Sequence, residues 1–198
     1  METVTLDTSH LFTTYAWSTQ FESLKQWGTN LVNENKALEV AKITRERHNI
    51  VDRVLGKDLP QYIKDLFQIR ISHIQLFSAE PTAIGSIHKD GSDRLCAFNI
   101  PLMNTDKGWT EWLDGPVEGR LLELGHTSIR LLKDRTDAHK LSTTAKFLLE
   151  NPTLINTNEW HRVDNFKNPN WRHVLSIRFM DNPDYNSVKS VLDQILTK

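Results

Sequence analysis

From Ile69 onward the chain is a succession of short β-favouring runs, and that cadence limits the fold more than any other feature. The runs are IRISHIQLF, RLCAFNIPL, WTEWL, GRLLEL, TSIRLL, PTLINT and WRHVLSIRFM, with EPTAIG, DGSD, LDGP and NFKNPN between them. β-Branched and aromatic residues suit a pleated surface, whereas Gly, Pro, Asn and Asp interrupt it. So many strands at short spacing predict a mainly β fold, a sandwich or barrel, with its core over residues 69–180.

The flanks have a different period. Phe21, Leu24, Trp27 and Leu31 recur at helical spacing, as do Leu59, Ile63, Leu66 and Phe67 behind a candidate N-cap at Asp58 with Pro60 in the first turn, so residues 1–68 are expected to be mainly helical. The tail, 181–198, returns to a helical period through Val188, Val191, Leu192 and Ile195, with Asp181 and Asn182 as cap candidates and Pro183 after them. It is expected to dock on the outside of the β core. Segment 133–147, KDRTDAHKLSTTAKF, matches neither period and is expected to be a mobile loop. With no repeat or linker, the 198 residues are expected to form a single domain with a sizeable core.

Composition removes several functions. Twenty-four basic residues against 25 acidic, without a long block of either sign, leave no electrostatic footprint for nucleic acid or an anionic membrane. Cys96 is the single cysteine, which excludes an intramolecular disulfide and a Cys-based zinc site and fits a reducing cytoplasm. The opening METVTLDTSHLFTTYAWSTQ has no export-signal pattern, and no stretch reaches the roughly 18 apolar residues of a membrane span. A cytoplasmic protein is therefore expected.

One constellation carries chemistry. His88 and Asp90, in IHKDG, are two apart, so an extended strand places both side chains on one face. Gly91 permits a turn directly after them. His161, in EWHRVDN, begins another β-like stretch 73 residues beyond His88 (161 − 88) and is the leading third ligand. Two imidazoles and a carboxylate on one side of a metal suit Fe(II) and leave positions open for substrates. Arg172 follows His161 by 11 residues (172 − 161) at the start of RHVLSIRF, where Arg172, Val174, Ser176 and Arg178 share a face and His173, Leu175, Ile177 and Phe179 share the other. A guanidinium on an apolar face is costly unless a carboxylate meets it.

His88-x-Asp90, a distal His161 and Arg172 beyond it resemble the signature of the 2-oxoglutarate/Fe(II)-dependent oxygenases. The surrounding text is similar to the aspartyl/asparaginyl β-hydroxylase-like and phytanoyl-CoA-dioxygenase-like branch, over roughly residues 69 to 180. The resemblance implies a double-stranded β-helix, the cupin-like jelly roll, which also fits the short strands. It implies Fe(II) on His88, Asp90 and His161, 2-oxoglutarate chelating that metal with its far carboxylate on Arg172, and O2 as oxidant, with ascorbate as an accessory reductant. Arg178 is the alternative for the far carboxylate. Asn99 is a further contact for the cosubstrate or a bulge, and Ser176 an assistant to Arg172. The tyrosine that many relatives place before the first histidine is absent; HIQLFSAE offers Phe77, and Gln75 as a weak substitute.

The implied reaction is hydroxylation of a C–H bond in a small molecule or a peptide side chain, with release of succinate and CO2. Asp90 favours hydroxylation over halogenation; desaturation and ring closure use the same ligands. Two other readings stand beside it: a cupin-like metalloenzyme that does not use 2-oxoglutarate, and a non-catalytic jelly-roll binding module. Trp109 and Trp112 are expected to pack core or rim rather than wall a pocket, and His10, His48, His73, His126, His139 and His173 have no ligand spacing.

Overall fold

A computed structural model of the chain describes residues 7–33, 66–91, 94–124 and 127–196. The helix expected around 58–67 lies outside them, apart from Leu66 and Phe67. Eleven strands and two helices are described: β1 (Phe12–Thr14), α1 (Thr19–Asn33), β2 (Ile71–Ala79), β3 (His88–Asp90), β4 (Cys96–Met103), β5 (Trp109–Asp114), β6 (Gly119–Leu124), β7 (Thr127–Leu132), β8 (Ser142–Leu148), β9 (Thr153–Asn156), β10 (His161–Asp164), β11 (Arg172–Phe179) and α2 (Tyr185–Leu196). The strands form two sheets of order β1-β9-β4-β11-β2 and β6-β7-β3-β10-β5-β8, with every pairing antiparallel. From β2 to β5, and again from β8 to β11, successive strands alternate between the sheets. That winding is the double-stranded β-helix, a jelly roll interrupted by the β6–β7 hairpin.

Strand periodicity explains the layers. In β4 and β11, Cys96, Phe98, Ile100, Leu102, Leu175, Ile177 and Phe179 point one way and join Phe21 and Leu24 of α1 and Tyr185, Val188 and Leu192 of α2 in the main core. Phe98 sits at its centre, stacked on Phe21 at 5.4 Å and edge-on to Phe67 at 5.0 Å. Burying each such side chain stabilises by about 1.5–3 kcal/mol. The helix approaches closely because Gly28 has no side chain: a Cβ there would stand 2.9 Å from Leu102 Cδ2. The opposite faces of the sheets enclose a second, smaller core of Leu11, Ala97, Trp112, Ala145 and Ile155. This core closes one end of the barrel and sets β4 and β9 over β5 and β8.

Two expectations change. Segment 133–147 is a 3-10 turn over Arg135–Lys140, capped by Asp134, followed by most of β8. Its polarity reflects an edge strand whose outward face meets solvent, while Ala145 turns inward. The cap of α2 is Asp184, whose carboxylate accepts from the Ser187 amide at 2.9 Å and hydroxyl at 2.7 Å. Asp181 and Asn182 instead take left-handed backbone angles in the preceding turn, and Asn182 Oδ1 accepts from the Leu95 amide. No helix among the described residues is long and apolar enough to cross a membrane.

Candidate metal centre

The second sheet brings His88, Asp90 and His161 together. His161 is the direct cross-strand partner of His88, and Asp90 is two residues along the same face, so the register alone makes the three side chains neighbours. One ligand atom from each lies within 4.8 Å of the others. The imidazole centroids are 4.4 Å apart, and His88 Nε2 stands 3.8 Å from Asp90 Oδ1.

Local hydrogen bonds prepare these groups as ligands. His88 Nδ1 donates to the Ser86 carbonyl and His161 Nδ1 to the Glu159 carbonyl, each at 2.8 Å and each two residues upstream. A carbonyl only accepts, so both protons sit on Nδ1 and both Nε2 lone pairs are free for a metal. Burial, and then the neighbouring His88, pushes the His161 imidazole down to about 3, which keeps it in the neutral, ligating form. Asp90 is 6% exposed. Burial alone would raise its pKa, but the neighbouring charge of Arg94 above all, with Arg178 further off, outweighs that and holds it below the ordinary carboxylate value.

Arg94 divides the carboxylate. Its Nε stands 2.6 Å from Asp90 Oδ2, off the line of a directed hydrogen bond, so the contact is ionic. Arg94 also donates to Gln75 Oε1 at 3.3 Å and lies over the Phe77 ring. Oδ1 is thereby left to the histidines. Phe77 and Gln75 thus serve to seat this arginine.

The inner face of the first sheet also carries a polar row. Gln75, Ser176, Asn99 and Thr153 are successive cross-strand partners and make one row across β2, β11, β4 and β9. Asn99 Oδ1 in that row is buried without a hydrogen-bond partner. Arg172 and Arg178 flank Ser176 at the two ends of β11, on the same face. Arg178 lies near enough for its charge to act on Asp90. Arg172 is 4% exposed, makes no ion pair among the described residues, and leaves Nε without a hydrogen-bond partner. Burial pulls its guanidinium down to about 10, so it remains charged at neutral pH. Its stem crosses Gly108, where a Cβ would stand 2.7 Å from Arg172 Cδ and 2.6 Å from Asn165 Oδ1.

No family model matches the chain, and no curated protein does. Among solved structures it is similar to AviO1 from Streptomyces viridochromogenes Tue57, at 13% identity and a TM-score of 0.48, over 91% of this chain and 99% of that one. It is similar to EvdMO1 at 12% identity and a TM-score of 0.47, over 88% of this chain and 48% of that one. It is also similar to HygX from Streptomyces hygroscopicus, a structure with nickel and 2-oxoglutarate bound, at 11% identity and a TM-score of 0.39, over 86% and 83% of the two chains.

Among the remaining polar residues, Arg94 is the one that the sequence reading missed. Its signal was available: an arginine four residues beyond Asp90, beside a run of buried β residues. Trp112 is 1% exposed, donates to the Asn156 carbonyl and belongs to the inter-sheet core; Trp109 lies under Lys146 on the other face. His173 pairs with Ser78 at 2.8 Å away from the metal cluster, and His10 and His139 are exposed. His48 and His126 and the side chain of His73 lie outside the described residues.

Proposed function

We propose that the chain is a non-haem Fe(II)- and 2-oxoglutarate-dependent dioxygenase that hydroxylates a C–H bond of a small molecule or peptide side chain. The observation that carries this reading is a three-ligand cluster in a fold that also buries a guanidinium, Arg172, with no ion-pair partner among the described residues. His88, Asp90 and His161 would hold the metal, and two imidazoles with one carboxylate favour Fe(II) with open positions. Bound together, Fe(II) and 2-oxoglutarate supply activation of O2, the cosubstrate leaving as succinate and CO2 while a substrate C–H becomes C–OH.

The chain's own groups do the rest. Nδ1–H bonds to backbone carbonyls fix both imidazoles in the ligating tautomer, and Arg94 holds Asp90 Oδ2 so that Oδ1 faces the metal position. Arg172 would take the far carboxylate of the cosubstrate, where a planar two-pronged donor fixes direction as well as charge. Arg172 suits this better than Arg178 because Arg178 already faces Asp90. Asn99 Oδ1 is an acceptor and would meet a donor or a water, while the Ser176 hydroxyl beside it would meet a cosubstrate oxygen.

The test is anaerobic reconstitution with Fe(II), then addition of O2, ascorbate and 2-oxoglutarate with succinate as readout. Substrate-independent succinate formation that disappears in His161→Ala and Arg172→Met supports the reading. Metal-loaded protein that neither binds 2-oxoglutarate nor forms succinate refutes it, and leaves a metalloenzyme without this cosubstrate or a binding module.

A further inference from the structure

The face that carries the metal ligands continues beyond the barrel. Direct cross-strand partners form one row from Arg120 through Leu131, His88, His161 and Trp112 to Ala145. A parallel row runs from Leu122 through Ile129 to Asp90. Residues directly opposite in an antiparallel pair share a face, so Arg120, Leu122, Ile129 and Leu131 lie on the face of His88 and Asp90. At the other end the row runs into the buried Trp112 and Ala145.

The first sheet does not cover this extension. Its β4 and β9 lie over β5 and β8 through Ala97, Ile155, Trp112 and Ala145. The strand orders then place β11 over β10 and β2 over β3, which leaves β7 and β6 with no strand opposite them among the described residues. Leu122 is 38% exposed, Ile129 and Leu131 are half-buried and Arg120 is exposed. The next pair along, Glu118 and Lys133, neutralises itself at 2.8 Å. Arg120 makes no ion pair among the described residues. It stands two strand spacings, about 10 Å, from His88.

We propose that this strip is the substrate's seat and that it selects an amphipathic organic anion. Its carboxylate, sulfate or phosphate would rest on Arg120, its apolar stretch on Leu131 and Ile129, and its far end at the metal position. An apolar wall with one convergent charged donor is the composition of a small-ligand site, and a guanidinium recognises such oxyanions by paired hydrogen bonds. The substrate role rests on the proposed oxygenase function; the anion seat itself does not.

The experiment titrates octanoate, octyl phosphate and octanol, below micelle formation, into full-length protein loaded with zinc and 2-oxoglutarate, with calorimetry as readout. Both anions are expected to bind about tenfold more tightly than octanol, one charge-assisted contact's worth, and to weaken with salt. Arg120→Gln should remove that tenfold and leave octanol unchanged, with Arg120→Lys between. Leu131→Asn should weaken all three. Melting curves matching wild type would confirm that Arg120→Gln is folded, as an exposed substitution should be. Equal affinity for octanol and the anions, anion binding unchanged in Arg120→Gln, or no binding by wild type would each overturn the proposal. Arg120-dependent binding without succinate formation sinks the oxygenase reading alone; succinate formation with Arg120-independent binding sinks the seat alone.

Discussion

Replacing Arg172 by methionine should leave the ligand-free protein at least as stable as wild type while abolishing its response to 2-oxoglutarate. Burial moves the guanidinium from 12.5 to about 10, a loss of about 3 kcal/mol that no ion-pair partner among the described residues offsets. Methionine keeps an unbranched apolar stem over Gly108 and removes the charge. The ligand-free variant should therefore gain between nothing and about 3 kcal/mol, which for a chain of this size is a rise in Tm of up to about 10 °C. At 2-oxoglutarate concentrations about a hundred times Kd, the zinc-loaded wild type should gain about 2.7 kcal/mol, or roughly 5–10 °C. The variant should gain nothing.

Differential scanning calorimetry of the zinc-loaded proteins, with and without 2-oxoglutarate, reads both effects. A ligand-free variant that loses more than about 2 kcal/mol would mean that Arg172 has a structural partner, as loss of a buried paired charge predicts. A variant that keeps the full 2-oxoglutarate shift would place the carboxylate elsewhere, with Arg178 the next to test.

Three further outcomes are expected. Arg94→Gln should lower metal affinity by about 10–100-fold, since it frees the carboxylate Oδ2 that Arg94 holds, and Arg94→Lys should recover part; chelator competition measures this, and unchanged affinity would refute the role. Gly108→Ala forces Arg172 or Asn165 to move, so it should cost about 1–2 kcal/mol and blunt the 2-oxoglutarate thermal shift; a variant equal to wild type in both would show that the close approach is unimportant. Glu111 is buried between Lys146 and Arg162, each at 2.8 Å; burial alone would raise its pKa, and those two hydrogen bonds bring it below the ordinary value. Its contribution is thus present above the unfolded pKa of about 4.3 and lost as pH falls through the lower folded one, so Glu111→Gln should cost about 1–2 kcal/mol at pH 7, with the gap to wild type narrowing below about pH 4 in denaturant titrations.

The alternation of β11 and the spacing of the β runs were legible because both follow from the two-residue period of a strand. The same period put His88 and Asp90 on one face. The meeting of His161 with His88 was legible only through the family resemblance, since it depends on β10 pairing with β3, a contact 73 residues long-range (161 − 88) that no local pattern encodes. Arg94 escaped for a related reason: it lies outside any strand, and it is set beside Asp90 by the hydrogen bond from its own amide to the Gly91 carbonyl. Segment 133–147 was misread because an edge strand with one solvated face lacks the apolar content that marks a central one.

β11 also shows how the fold tolerates a costly site. Every residue of this strand is buried, and it lies between β4 and β2 with its register irregular near the two ends, between His173 and Val174 on one side and between Arg178 and Phe179 on the other. Between those points, residues 174–178 are locked on both flanks, and a slip of one residue would send Ser176 and Arg178 into the helix-backed core. Leu175, Ile177 and Phe179 oppose that slip, each worth about 1.5–3 kcal/mol of burial. Together they exceed the about 3 kcal/mol that an unpartnered Arg172 costs. Leu175→Ala should therefore lose about 2–5 kcal/mol and, where the protein still folds, keep Arg172 in register and its 2-oxoglutarate response intact. A folded Leu175→Ala protein that had lost that response would show that outer-face packing sets the geometry of the site and not only its stability.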